Sequence, residues 1–118
     1  MQLIPPDSFL VLLDKKEKHN NNVIMDIRFE WDPAKAETNQ KKHNISFDEA
    51  KTVFYDPNAL VISDPEHSTE EDRFIILGIS ALSKILVACH CYRENDAVIR
   101  IISARKATTN ESVQYGGN

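Results

Sequence analysis

Three long apolar runs, separated by only a few polar residues, constrain this chain most. They are Arg73–Ser80, Lys84–Arg93 and Ala97–Ala104, all rich in Val, Ile and Leu. Runs of this kind bounded by turn residues read as strands. Such short gaps demand antiparallel hairpins, because a parallel return needs a long crossover. A fourth strand is expected at Ala59–Ser63 and a short first one at Ile27–Glu30.

Helix signals fill the remainder. Asp32-Pro33 supplies an N-cap and a proline at the first helical position. That helix runs to about Lys42 and is mostly polar, so it belongs on the surface. Ser46-Phe-Asp-Glu49 is a capping box, and Phe47, Ala50, Val53 and Phe54 follow at helical spacing. Asp56-Pro57 ends this second helix. Thr108 to Glu111 is another capping box, opening a short helix that stops at Gly116-Gly117. The expected order is β-α-α-β-β-β-β-α. This is an α+β fold: an antiparallel meander with helices packed on one face.

A length of 118 residues fits one domain. Residues 1–24 differ from the rest, opening with Pro5-Pro6 and closing with His19-Asn20-Asn21-Asn22. They read as a poorly ordered or loosely docked extension, with Met25 as a candidate start and residues 25–118 as the domain. No apolar run approaches the ~20 residues of a membrane span. Phe9–Leu13 is too short for a signal peptide, and its charges follow rather than precede it. A cytoplasmic protein is expected.

Cys89 and Cys91 are the only cysteines. Two residues apart on one strand, they cannot easily converge into a disulfide. They share a strand face while His90 points the other way, which argues against a metal cluster. The net charge of −4 is unevenly spread. The Asp64–Asp72 loop is acidic, whereas residues 83–118 carry an excess of cations. Such asymmetry suits a nucleic-acid or acidic partner on one side, although a solvated charged face is the ordinary explanation.

There is no P-loop, no dinucleotide fingerprint, no nucleophile elbow and no His-Glu-x-x-His. What remains is a cationic and imidazole set: His90, Tyr92, Arg93, Glu94, Arg100, Arg105 and Lys106. Arg100 interrupts the apolar run Val98-Ile99-Arg100-Ile101-Ile102. Such an arginine must reach water, a carboxylate or a phosphate. An ion pair with Glu94 or Asp96 and an anion contact both remain open. RNA cleavage without a metal would suit the set: imidazole, carboxylate or lysine moves protons, and arginines stabilise the phosphorane charge. His43, after Lys41-Lys42, reads as a solvated helix end, and His67 as an exposed polar residue.

The register of the last hairpin decides which of these groups meet. A two-residue Asn95-Asp96 turn sets His90 opposite Ile101. Strict alternation then puts His90, Tyr92, Ser103 and Arg105 on one face, and Arg93 with Arg100 on the other. A three-residue turn sets His90 opposite Arg100 instead. Under either register Arg100 and Arg105 fall on different faces.

Several blocks together resemble the BrnT toxin family. They are Phe29-Glu-Trp-Asp-Pro33, Lys35-Ala36, Asn39, Lys42-His43-x-Ile-Ser-Phe47 and Glu49-Ala50. Asp56-Pro57, Asp64-Pro65, His67 and Glu71-x-Arg73 continue the match, and Tyr92-Arg93-Glu94 and Ile99-Arg-Ile-Ile-Ser-Ala-Arg-Lys-Ala107 complete it. The resemblance implies a RelE-like fold and a metal-independent ribonuclease that halts translation. It implies no cofactor, an RNA substrate, and a neutralising BrnA-like ribbon-helix-helix antitoxin through which DNA is reached only indirectly. By motif match, Arg93, Glu94, Arg100, Arg105 and His90 are the candidate catalytic residues, and Arg73 and Lys106 the candidate RNA contacts. The other reading is an inactive relative that serves as an antitoxin-binding module in operon autoregulation.

Overall fold

The computed structural model describes residues 27–64 and 71–116. The proposed 1–24 extension, His67 and Gly117 lie outside the described residues. Within them the order is β1 (Arg28–Glu30), α1 (Pro33–His43), α2 (Phe47–Thr52), a 3-10 turn (Val53–Tyr55), β2 (Leu60–Ser63), β3 (Phe74–Ile79), β4 (Ile85–Arg93), β5 (Val98–Lys106) and α3 (Thr109–Gly116).

Local capping explains the helix boundaries. Asp32 Oδ1 accepts from Ala34 N at 2.9 Å, and Ser46 Oγ accepts from Glu49 N at 3.0 Å. The Glu49 carboxylate turns into the protein instead of closing its own box. It accepts from Ser80 Oγ at 2.7 Å and lies 3.8 Å from Lys84 Nζ, tying α2 to the β3–β4 turn. At the third helix both arms of the box form: Thr108 N donates to Glu111 Oε1 at 2.8 Å, and Glu111 N to Thr108 Oγ1 at 3.2 Å. Tyr115 Oη donates to Asp56 Oδ2 at 2.7 Å, which fastens the end of α3 to the loop before β2.

The five strands form one sheet in the order β1-β5-β4-β3-β2. From β2 to β5 it is the expected antiparallel meander. β1 departs from that expectation by pairing with β5 in parallel, so the sheet is mixed. The two helices between β1 and β2 provide a crossover long enough for this. β1 covers only Val98–Arg100, leaving the second half of β5 at an edge. There the buried Asn39 of α1 takes a strand's place, accepting from Ala104 N and donating to Ala104 O.

One sheet face packs against α2 and the 3-10 turn. Phe47, Ala50, Val53 and Phe54 are almost wholly buried, and they meet Ile76, Leu86, Ala88, Ile99, Ile101 and Ala104. Not all helices share this face. Glu111 and Gln114 of α3 border a mostly apolar cavity of about 200 Å³ with Leu60, Ile62, Ile75, Leu77 and Val87. Those strand residues alternate with the core set, so α3 lies over the opposite face.

Candidate functional site

The β4–β5 turn is the two-residue one. Ala97 N donates to Glu94 O at 3.1 Å, and Asn95 and Asp96 adopt φ of 58° and 68°. Both central residues therefore have the positive φ of a type I′ turn. His90 accordingly faces Ile101, Tyr92 faces Ile99, and Cys91 faces Arg100.

Further along, the register slips. Cys89 pairs with Ser103, not with Ile102, so a bulge lies between these pairs. The extra residue restores the parity that an odd spacing denies. Ser103 and Arg105 now stand opposite Cys89 and Val87, on the same face as Arg100 opposite Cys91. The expectation that the two arginines occupy different faces is thereby corrected, as is the grouping of Arg105 with His90. Arg100 and Arg105 stand about four residues apart along β4, roughly 13 Å at ~3.3 Å per residue.

This face collects the arginines of neighbouring strands. Arg100 Nη1 donates to Glu30 Oε2 at 2.8 Å, the partner being β1 rather than Glu94 or Asp96. Arg93 Nε lies 3.7 Å from the same oxygen, and Arg93 Nη2 donates to Glu71 Oε1 at 3.1 Å. Arg73 Nε is 3.7 Å from Glu71 Oε2. Two glutamates thus link three guanidinium groups. The Glu30 contact raises the basicity of Arg100 further. Arg105 is gripped by Glu111 through bonds of 2.9 and 3.0 Å, and that contact holds the Glu111 carboxyl at about 2. Arg73 and Arg105 border one cavity of about 350 Å³, together with Asp64, Cys89, Ser103 and His43.

Other candidates are placed elsewhere. His90 is fully buried on the core face, edge-on to Phe54 at 4.8 Å and 3.2 Å from Tyr92 Oη. Burial lowers its pKa to about 4, with the Ala88 backbone opposing the shift. It is a core histidine, sealed from any ligand on the arginine face. Glu94 sits at the hairpin tip and accepts from Arg28 Nη2 at 2.9 Å. Lys106 is exposed at the end of β5, on the side away from Arg105. The thiols of Cys89 and Cys91 face the arginine side. Burial, with Asp64 adding to it, pushes Cys89 up to about 11, and burial followed by Glu71 raises Cys91. Both therefore stay protonated at neutral pH. Among the described residues there is no cluster of three or more His, Cys, Asp or Glu able to hold a metal ion.

His43 and Ser103 border this cavity, although the sequence points to a solvated helix end for the first and to the His90 face for the second. The signal for His43 was present in the Lys42-His43 block, but its position over β5 depends on tertiary packing.

An α+β fold of this arrangement is already known. The chain is similar to the crystal structure of the Brucella abortus ribonuclease toxin BrnT, with a TM-score of 0.52 and 21% identity. The match covers 70% of this chain and 99% of that one, and at this identity it establishes the fold. A family model described as the ribonuclease toxin BrnT of type II toxin–antitoxin systems matches residues 31–111. The chain belongs to this family, and a toxin of this type implies an antitoxin as partner. No curated protein gives a significant match. Among the described residues, no helix is long and apolar enough to cross a membrane.

Proposed function

We propose that the chain is a metal-independent endoribonuclease that halts translation in the cytoplasm, and that the arginine face of the sheet holds the RNA. One observation carries this reading: the β5 bulge brings Arg105 to the side of the sheet that Arg73, Arg93 and Arg100 already share. Guanidinium groups suit phosphate because their forked donors match its oxygens. Held in place before the reaction, they would stabilise the charge of the phosphorane. A phosphodiester would compete with Glu30, Glu71 and Glu111 for these groups. A ribbon-helix-helix antitoxin of the BrnA type would neutralise the toxin and carry the complex to DNA.

Those same pairings favour a second reading. Each of the four arginines already has a carboxylate within 4 Å. A face so neutralised also fits an inactive relative that only binds its antitoxin. Purified protein and a mixed-sequence single-stranded RNA separate the two. Cleavage that persists in EDTA and falls roughly 10²–10³-fold in R100A and R105A supports the enzyme. Antitoxin binding without cleavage, and without growth arrest on induction, supports the binding module.

A further inference from the structure

An RNA-cleaving face needs a group that moves protons, and the arginines cannot do this because they remain charged. His90 is sealed in the core. His43 is placed differently. It ends α1, it is partly exposed, and its imidazole makes no hydrogen bond with the described residues. Its imidazole borders the cavity that also contains Arg73, Arg105 and Ser103. It also borders a second depression of about 310 Å³, walled by Lys35, Thr38 and Lys42 of α1 and again by Ile102 and Ser103. The two depressions share His43, Ile102 and Ser103 in their linings, beside the bulge and the uncovered edge of β5. One depression thus carries two arginines, the other two lysines, and His43 lines both.

We infer that His43 is the proton-transfer residue of the ribonuclease, and that a single RNA strand crosses the β5 edge with flanking phosphates along Lys35 and Lys42. The inference rests on the ribonuclease reading above. In the step it serves, the 2′-oxygen bonds to phosphorus as the bond from phosphorus to the 5′-oxygen breaks. The 2′-hydroxyl loses a proton and the 5′-oxygen gains one, leaving a 2′,3′-cyclic phosphate and a 5′-hydroxyl. His43 carries one of these transfers and solvent completes the other. Histidine suits this because its ordinary pKa lies close to neutrality. The charged or titratable groups around it are Lys41 and Lys42 on its own helix, and Asp64, Arg73, Cys89 and Arg105 across the cavity.

The test uses the full chain and a fluorescently labelled single-stranded RNA of mixed sequence. H43Q, and H43N as a second replacement, should cleave 10²–10⁴-fold more slowly, the range typical of general acid–base catalysis. Their RNA affinity should stay within about twofold, and one limb of the pH–rate profile should vanish. K35Q/K42Q should weaken binding and flatten its salt dependence by about two phosphate contacts. Parental cleavage by H43Q or H43N overturns the assignment while leaving the ribonuclease reading intact. Unchanged binding by K35Q/K42Q overturns the strand path. If the parent binds RNA and never cuts it, the ribonuclease reading fails, and the role of His43 falls with it.

Discussion

Asn39 and Ala104 exchange two hydrogen bonds across the uncovered edge of β5. The side-chain oxygen accepts from Ala104 N at 3.0 Å, and the amide donates to Ala104 O at 2.8 Å. The same amide donates to Ile45 O at 2.9 Å, so one side chain joins α1, the loop after it and the sheet. Without it, buried backbone groups lose their partners. N39A should cost about 2–4 kcal/mol, since each unsatisfied buried group costs roughly 1–3. Urea unfolding that shows a loss below about 0.5 kcal/mol would falsify this.

Gly78 is required by close packing, not by backbone conformation. A Cβ there would stand 2.8 Å from Val53 Cγ1 and 3.1 Å from both Ala59 Cβ and Asp56 Oδ2. Either the 3-10 turn or β3 would have to move. G78A should destabilise by about 1–3 kcal/mol through overpacking. Unchanged thermal and chemical stability would show that the turn yields freely.

Glu111 links acid sensitivity to α3. Its pKa falls from 4.5 to about 2, first through its bond with Arg105. The folded state therefore gains stability from the ionised carboxylate above pH 4.5. That gain is lost as pH falls from 4.5 towards 2. E111Q should be less stable than the parent by about 1–2 kcal/mol at pH 7, through the weakened cap and guanidinium contact. The difference should shrink on acidification over the same range. A constant difference down to pH 2 would contradict the assignment.

His90 acts over a different range. Its pKa is lowered from 6.5 to about 4 by burial, so the unfolded chain binds a proton that the folded chain refuses. Stability should fall as pH drops from 6.5 towards 4. In H90L that component of the slope should disappear. Cleavage by the folded H90L protein should stay within about twofold of the parent, and a hundredfold loss would return His90 to the list of catalytic candidates.

Much of the fold could be read locally. Asp32, Ser46 and Thr108 cap their helices as expected, because a cap involves neighbours in sequence. The hairpins were legible for the same reason. The parallel pairing of β1 with β5 was not, since three residues carry no sign of a partner about 70 positions away. The site was legible as a list of arginines but not as a surface. Ile99 and Ile101 obey one alternation and Ala104 obeys the other, with Ile102 between them apolar as well. That mismatch of core positions marked the bulge, but composition alone could not locate it. His43 was read as a solvated helix end, because only the packing of α1 over β5 brings it to the cavity.

The register shift in β5 also governs how this strand can vary between relatives. Exchange of one side chain for another leaves the count from Arg100 to Arg105 unchanged. Loss of a single residue, such as Ile102, would restore unbroken alternation and drive the Arg105 guanidinium into the hydrophobic interior. It would also break the pairing of Ala104 with Asn39. Natural homologues should therefore tolerate many substitutions in this stretch while keeping its length fixed.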